Sequence, residues 1–207
     1  MDILIASSNR GKLNEIQAIL SSQWAHLLIP ADIGLSLDVK ETGSTYAENA
    51  VLKAQAYCQS SQMICLADDS GLEVDALNGA PGLHSARYGQ QDNGQKGSDA
   101  YRRRLLLENL TAYEVPANMP GWPAHFRCAV AIAAPHQPVM TAEGHCDGYI
   151  LKEERGTNGF GYDPLFYFAE YGLTMAEIST ELKNQISHRA RALQAARPLL
   201  EKMMHTA

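Results

Sequence analysis

The sequence predicts a mixed α/β fold, in which a twisted central sheet is flanked by helices on both faces. Early in the chain, short apolar segments alternate with amphipathic helical segments, and later two longer apolar segments are joined by a tight turn. The first arrangement is typical of strands with crossover helices, and the second of an antiparallel pair. The length of 207 residues fits a single domain with a subsidiary lobe.

The N-terminal elements follow from local patterns. Residues 3–6 are apolar and predict a buried strand, and the polar residues 7–12 lead into a helix with apolar side chains on one face. Residues 27–30 predict a second strand. Thr45 and Glu48 have the spacing of a capping box, which predicts the start of the next helix.

The central segment is predicted to contain an interrupted strand. Residues 63–67 predict a strand that ends in a turn at residues 68–71, because Asp, Ser and Gly are favoured in turns. Residues 72–77 predict the strand resuming beyond that turn. The Gly- and Asn-rich residues 79–97 are expected to be irregular, and residues 99–110 predict a helix with a basic face.

The C-terminal half continues with a loop and a hairpin. Residues 116–123 are expected to form the loop, and residues 126–134 and 139–151 the antiparallel pair. A Gly-rich run at residues 156–163 comes next. The remainder is expected to be helical, with Pro198 kinking or splitting the last helix.

Composition excludes several classes of protein. A formal net charge of -6 disfavours broad binding to nucleic acid or to an anionic membrane surface. No signal peptide and no apolar span of membrane length is present, so we expect no membrane association. The four cysteines lack the C-x-x-C spacing and the density of secreted domains, so we expect reduced thiols in a cytoplasmic protein. The histidines lack zinc-ligand spacing, and there is no G-x-S-x-G motif.

The loop between the first strand and the first helix is a candidate phosphate site. A helix N-terminus directs backbone N–H groups and a partial positive charge at an anion, and Lys12 adds a full charge. The sequence is not a P-loop, and an exposed capped turn is the alternative. Lys53 lies four residues after Asn49 on a predicted helix and could reach a phosphate, or it is simply exposed.

Three acidic residues form a candidate magnesium site. Mg²⁺ usually takes one or two protein carboxylates together with water and phosphate oxygens, which Glu41, Asp68 and Asp69 could supply. Neighbouring residues on an extended strand point to opposite faces. Asp68 and Asp69 could therefore share one ion only if the strand has already turned, which Gly71 makes plausible. The alternative is a turn without a ligand.

Two further segments could contact a ligand. Phe160 and Tyr162 lie among glycines and could stack on a flat base, or they are core anchors. Ser187 is a natural helix N-cap, which places His188 and Arg189 at a helix end that disfavours cations. An anionic or carbonyl-bearing ligand explains such a pair, although a solvated surface is the alternative. Residues 102–104, all arginine, point in three directions on a helix, and we expect them to form a solvated face.

Taken in order, seven short motifs resemble the inosine triphosphate pyrophosphatase family. They run from residue 8 to residue 190, which is nearly the whole chain, and a series in this order is far more specific than any one motif. The motifs are Ser8-Asn9-Arg10-Gly11-Lys12, Glu41-Thr42-Gly43, Glu48-Asn49-Ala50 with Lys53-Ala54, Asp68-Asp69-Ser70-Gly71, Gly79-Ala80-Pro81-Gly82 with Ser85-Ala86-Arg87-Tyr88, Phe160-Gly161-Tyr162-Asp163-Pro164 and Ser187-His188-Arg189-Ala190.

The resemblance implies an Mg²⁺-dependent homodimer that cleaves the α–β phosphate bond of ITP, dITP or XTP. It also implies an elongated fold of two lobes, residues 1–207, with the active-site cleft between them. Asp69 would be the proton acceptor, and Glu41 and Asp69, supported by Asp68, would hold the metal. The residues implied in substrate binding are Ser7, Ser8, Asn9, Arg10, Gly11, Lys12, Lys53, Ser70, Arg87, Phe160, Gly161, Tyr162, Asp163, Lys183, His188 and Arg189.

The sequence also departs from the family. Many bacterial relatives begin this loop with Thr-Gly-Asn, whereas Ser8 replaces that glycine here, and residues 94–100 and 116–123 look longer than usual. Two other functions stay open at this point. One is a related pyrophosphatase for modified pyrimidine or guanine nucleotides, and the other is a nucleotide sensor without turnover. A sensor would have little need of Asp69.

Overall fold

The computed structural model of the chain describes residues 2–20, 26–90 and 97–206. Within these ranges the helices and strands occur in an order that agrees with the predicted α/β class. They are β1 (Asp2–Ile5), α1 (Arg10–Leu20), β2 (His26–Leu28), α2 (Tyr46–Ser61), β3 (Ile64–Val74), α3 (Asp99–Leu110), β4 (Trp122–Ala133), β5 (Met140–Ile150), β6 (Phe166–Phe168), β7 (Leu173–Thr174), α4 (Thr180–Ile186) and α5 (His188–Thr206).

The strands form one mixed sheet of seven in the order β2-β1-β3-β4-β5-β6-β7. β1 pairs in parallel with both β2 and β3, while β6 pairs antiparallel with both β5 and β7. β4 and β5 are neighbours, and residues 134–139 between them are too few for a parallel crossover. The predicted mixed α/β class and the predicted hairpin are therefore confirmed.

The chain divides into two compact units. The first contains residues 1–70, 127–145 and 184–207, and the second contains residues 71–126 and 146–183. None of the helices in the described ranges combines the length and the apolar composition needed to cross a membrane. All four cysteines are free thiols with buried side chains.

The first unit has helices on both faces of its part of the sheet. Ile3 and Ile5 of β1 pack in one apolar cluster with residues of α1 and α5, while Leu4 and Ala6 pack in another with residues of α2. This alternation is the two-residue period of a strand buried on both faces. It extends to β3, where Ile64 and Leu66 join the first cluster and Cys65 and Ala67 join the second.

The second unit has its own core. α3 buries Leu106 and Leu110 completely. The ring of Phe166 lies 4.7 Å from that of Phe126 and 5.3 Å from that of Phe168, measured between centroids. Aromatic pairs at these separations add to the stabilisation from burial alone. β6 and β7 thus belong to a packed core, although they are short.

Several boundaries differ from the sequence prediction. β3 is continuous through residues 68–71, where a turn was predicted, and it ends at Val74 before a short 3₁₀ segment. Trp122 and Pro123 belong to β4, and β6 and β7 occupy a segment predicted to be helical. α5 runs through Pro198 without splitting. The irregular segment contains a 3₁₀ turn at Gly82–Arg87, and its residues 91–96 lie outside the described residues.

Candidate active site

The loop between β1 and α1 is organised by its own side chains. Ser7 Oγ accepts a hydrogen bond from the Asn9 N–H at 3.2 Å, and Asn9 Oδ1 accepts one from the Lys12 N–H at 3.1 Å. Asn9 is therefore the N-cap of α1, whose first turn begins with Arg10 and Gly11. Ser8, Asn9 and Arg10 are exposed. The loop is thus a rigid, accessible helix N-terminus, the geometry that favours an anion.

The two neighbouring carboxylates of β3 point to opposite faces of the sheet. Asp68 continues the face of Leu66, which packs toward α1 and α5, and Asp69 continues the face of Ala67, which packs toward α2. The strand does not turn here, so the condition for both side chains to share one ion is not met. Each carboxylate instead meets cations from the helices on its own side.

Asp68 is buried and forms ion pairs with two cations. Its Oδ2 lies 3.1 Å from Lys12 Nζ and 3.1 Å from Arg189 Nε. Burial alone would raise the pKa of Asp68, but the charges of Lys12, Arg189 and Lys53 outweigh it and hold the pKa well below its ordinary value. Oδ1 is buried without a hydrogen-bond partner among the described residues, so this oxygen could accept a bond from a water or ligand.

Arg189 joins α5 to β3 and α1. Ser187 caps α5 by accepting from the Ala190 N–H at 3.2 Å, as predicted, which places Arg189 in the first turn. The guanidinium is only 2% exposed and donates to Asp68 Oδ2, to Ser70 Oγ at 2.9 Å and to Glu15 Oε2. The carboxylates of Asp68 and Glu15 offset the unfavourable interaction between this cation and the N-terminal end of the helix. Sequence reasoning did not identify Glu15, because only the packing of α1 against α5 brings it close.

On the opposite face, Lys53 joins two acids that are distant in sequence. Its Nζ lies 2.9 Å from Glu41 Oε1 and 3.4 Å from Asp69 Oδ1. Asn49, one turn earlier on α2, donates from Nδ2 to Asp69 Oδ2 at 3.1 Å. The structure thus brings Glu41, Lys53 and Asp69 together, and it adds Asn49, to which the sequence analysis gave no role in the site although it lies in one of the seven motifs.

The pKa values in this group shift in directions that suit acid–base chemistry. Burial raises the pKa of Asp69, and Glu41 adds to the rise, while Lys53, Lys12 and Asn49 oppose it. Burial alone would lower the pKa of Lys53, but Asp69, Asp68 and Glu41 raise it. Asp69 is therefore a carboxylate that binds a proton more readily than an exposed aspartate does, beside a lysine that stays charged.

Glu41 and Asp69 fit a magnesium ion. Their oxygens converge on one ammonium nitrogen, which shows that a single cation can lie within reach of both. Oxygen donors from one or two carboxylates are the usual protein share of an Mg²⁺ site. Among the described residues there is no group of three or more His, Cys, Asp or Glu side chains suited to a metal. Asp68 faces the opposite side of β3, so Glu41 and Asp69 are the two carboxylates that could bind the ion.

In the second unit, the Gly-rich loop is held by an ion pair. Asp163 Oδ2 accepts from Lys183 Nζ at 2.5 Å and from the Phe160 N–H at 2.8 Å. The Lys183 ammonium lies 5.1 Å from the centre of the Phe160 ring, within cation–π range. A Cβ on Gly159 would come within 2.0 Å of Asp163 Oδ2, so only glycine allows this approach. The result is a half-buried ring on a fixed loop.

The two aromatic residues of this loop have different environments. Tyr162 is buried, and its hydroxyl donates to the Ser85 carbonyl at 2.9 Å, which makes the side chain a core anchor. Burial raises the pKa of Tyr162. Phe160 is only partly buried. Of the two, Phe160 is the ring whose face a flat ligand could contact.

The expectation of a solvated arginine face on α3 is wrong for two of its three residues. Arg103 Nη1 donates to the Gly161 carbonyl at 2.9 Å, and Arg102 bonds Asp99 and the Gly97 carbonyl. Asp99 in turn accepts from the Gly161 N–H at 2.7 Å. Only Arg104 is largely exposed, beside Glu108. Polar contacts from α3 therefore hold the Gly-rich loop in place. The sequence of α3 alone does not predict these contacts.

The expected substrate residues His188 and Arg87 lie in different units. His188, in the first unit, is the first residue of α5 and is buried. Arg87, in the second unit, ends the 3₁₀ turn that begins at Gly82. The first unit therefore contains the loop of residues 7–12 and residues 64–70 of β3, and the second contains the Gly-rich loop with Lys183.

Known proteins resemble this chain along nearly its whole length. The Ham1 family model matches residues 3–199. A relative named dITP/XTP pyrophosphatase from Geobacillus kaustophilus is 48% identical over 192 residues, which cover 93% of this chain and 90% of the relative. A protein of the same name from Bacillus subtilis is 40% identical over 200 residues, covering 97% of each.

Solved structures give the same result for the fold. The Ham1 protein of Staphylococcus aureus superposes with a TM-score of 0.81 at 39% identity, covering 98% of this chain and 100% of that one. A HAM1 protein from Coxiella burnetii gives a TM-score of 0.82 at 37% identity, with 98% and 99% coverage. The family model, the curated relatives and the folds thus agree, and this chain belongs to the Ham1 family.

Proposed function

We propose that this chain is a nucleoside-triphosphate pyrophosphatase that hydrolyses dITP, ITP and XTP to the monophosphate and pyrophosphate. Curated relatives named dITP/XTP pyrophosphatase support the reaction and its substrates. The observation that carries the proposal is the convergence of Glu41 and Asp69 on Lys53, while Lys12 from the first turn of α1 contacts the neighbouring Asp68. In the cell this activity would keep deaminated purines out of DNA and RNA.

Asp69 is assigned as the proton acceptor. The carboxylate orients a water for in-line attack on the α-phosphorus and takes its proton, while pyrophosphate leaves. A pKa raised by burial favours this role, because a stronger base accepts the proton more readily. The Asn49 amide holds one oxygen of this carboxylate, and Lys53 lies beside the other.

The phosphates are assigned to the loop of residues 7–12 together with Lys12 and Lys53. The Lys12 N–H is already bonded to Asn9 Oδ1, so the N–H groups of Arg10 and Gly11 are the ones that we assign to phosphate oxygens. Two lysines oppose part of the roughly four negative charges of a nucleoside triphosphate. Asp68 keeps Lys12 directed at β3 through its 3.1 Å contact.

We further infer that the reaction uses Mg²⁺ held by Glu41 and Asp69. The ion would neutralise charge that develops on the leaving pyrophosphate. Mg²⁺ suits the donor set because both residues offer carboxylate oxygens.

The base and sugar are assigned to Phe160, Asp163, Lys183, His188 and Arg189. Inosine and xanthosine have a carbonyl acceptor at purine position 6, whereas adenine has an amino donor there. Donors that face this position would bond the carbonyl and leave the amino group of adenine unpaired. A site that hydrogen-bonds one group of its substrate discriminates against an analogue without that group by about 10⁴-fold or more. Such a factor would prevent significant hydrolysis of ATP.

A product assay tests the proposed function. With Mg²⁺ and ITP, free phosphate should appear only after an inorganic pyrophosphatase is added, and ATP should react far more slowly. Asp69→Asn should abolish turnover while ITP still binds, because the amide keeps the size of the carboxylate but accepts no proton. Direct release of phosphate, or equal rates with ITP and ATP, would contradict the assignment. GTP as a competitor measures how guanine is discriminated.

We also infer that the protein is a homodimer of the cytoplasm. The family resemblance supports both statements, and the absence of paired cysteines among four buried thiols suits a reducing compartment. Light scattering on the protein as it elutes from a size-exclusion column should give twice the mass of one 22.6 kDa chain. A monomeric mass at the concentration of the activity assay would contradict the dimer.

A further inference from the structure

The side-chain amide of Asn49 has two hydrogen-bond partners. One is a carboxylate that we assign to the metal, and the other is a backbone group close in sequence to the second such carboxylate. Its Nδ2 donates to Asp69 Oδ2 at 3.1 Å, and its Oδ1 accepts from the Gly43 N–H at 2.8 Å. Gly43 follows Glu41 by two residues in the loop before α2. One amide thus contacts Asp69 directly and holds the loop that carries Glu41.

The orientation of this amide is fixed by chemistry. A backbone N–H can only donate, so the oxygen of the Asn49 amide must face Gly43. The amino group must then face Asp69, whose carboxylate accepts. Asn49 is 2% exposed, so its side chain has little freedom to exchange these partners for water. Both bonds therefore hold at once.

The loop can approach Asn49 this closely only because residue 43 is a glycine. A Cβ at this position would lie 2.8 Å from Asn49 Oδ1 and 2.6 Å from Glu48 Cβ. The neighbouring cap adds to the fixed geometry, since Thr45 Oγ1 accepts from the Glu48 N–H at 3.1 Å. The start of α2 and the Glu41 loop are thus one rigid piece, and Asn49 joins it to β3.

We infer that Asn49 is a positioning residue that holds Glu41 and Asp69 at the spacing needed to bind a divalent cation. The inference rests on the proposed function for its catalytic consequence, but the cation site itself can be tested without turnover. Residues that orient metal ligands through hydrogen bonds typically change metal affinity or activity by about 10–100-fold when replaced. Asn49 acts through the two carboxylates and needs no contact with the nucleotide.

Two substitutions separate this role from a general effect on folding. Asn49→Leu has a similar size and removes both hydrogen bonds. Asn49→Asp keeps an acceptor for the Gly43 N–H, and so keeps the loop attached, but replaces the donor to Asp69 with a second carboxylate. Gln55→Leu is the matched control, because Gln55 is an exposed amide on the same helix. Thermal unfolding of each variant reports whether it folds.

The first readout is binding of Mn²⁺ alone to the nucleotide-free protein, followed by electron paramagnetic resonance. We expect Asn49→Leu to weaken Mn²⁺ binding by about 10-fold, and Gln55→Leu to bind as the original protein does. The second readout is steady-state kinetics with ITP and Mg²⁺. For Asn49→Asp we expect kcat to fall by about 10-fold or more with little change in KM.

These outcomes distinguish the inference from its alternatives. Unchanged Mn²⁺ binding in a folded Asn49→Leu variant would overturn it, as would full kcat in Asn49→Asp. A raised KM at constant kcat would show that Asn49 contacts the nucleotide instead, which also overturns the inference. If the original protein fails to hydrolyse ITP, the proposed function fails, and the Mn²⁺ measurement still decides the role of Asn49.

Discussion

Replacing Arg189 with methionine should destabilise the protein substantially. The guanidinium is only 2% exposed and bonds Asp68, Glu15 and Ser70. Removing one member of a buried ion pair costs about 3–5 kcal/mol. Asp68 keeps Lys12 at 3.1 Å, so we expect the lower end, about 3 kcal/mol. At roughly 2–4 °C per kcal/mol for a chain of this size, Tm should fall by roughly 6–12 °C.

A double-mutant cycle measures this coupling. Urea unfolding of Arg189→Met, Asp68→Asn and the double variant should show that the double variant loses less free energy of unfolding than the two single variants together. Arg197→Met is the control on α5, because Arg197 is 56% exposed and its pair with Glu201 should contribute under about 1 kcal/mol. A loss below about 1 kcal/mol for Arg189→Met, or simple additivity with Asp68→Asn, would show that the buried ion pair does not contribute this stability.

Three further outcomes follow from single contacts. Tyr162→Phe leaves the buried Ser85 carbonyl without its donor and should lower the free energy of unfolding by about 1–2 kcal/mol, as measured by urea unfolding. An unchanged urea midpoint would show that the Tyr162 hydroxyl does not stabilise the core. Burial raises the pKa of Asp69, so a proton competes with Mg²⁺ as the pH falls towards that pKa, and calorimetric titration should show Mg²⁺ binding that weakens as the pH is lowered from neutral. Constant affinity down to the pH at which the protein unfolds in acid would contradict Asp69 as a ligand. Lys183→Met leaves Asp163 without its ammonium partner and should raise KM for ITP in steady-state assays, whereas an unchanged KM would remove this pair from the substrate site.

Much of the fold was predictable because its signals are local. The N-cap at Ser187 and the helix start at Thr45 follow from side chains that bond the next turn, and the structure places both where the sequence predicts them. β3 was predicted wrongly because Asp, Ser and Gly favour turns in isolation. Burial on both faces and cations from two helix layers keep the strand extended through Asp68 and Asp69.

The short strands and the partners of Arg103 could be predicted only with tertiary information. β6 and β7 are three and two residues long, which is too short for an alternating pattern to be recognised. Arg103 looked solvated because its partner, the Gly161 carbonyl, is 58 residues away in sequence. Residue types at the site were predictable, whereas their pairings depend on which helix covers which face of β3.

Hydrolysis of ITP with Mg²⁺ in water enriched in ¹⁸O, followed by ³¹P nuclear magnetic resonance, identifies the phosphorus atom that water attacks. If water attacks the α-phosphorus, the label should appear in inosine monophosphate, and the pyrophosphate should be unlabelled. Asp69→Asn should give neither product. Label in the pyrophosphate, or formation of inosine diphosphate and orthophosphate, would contradict the proposed reaction.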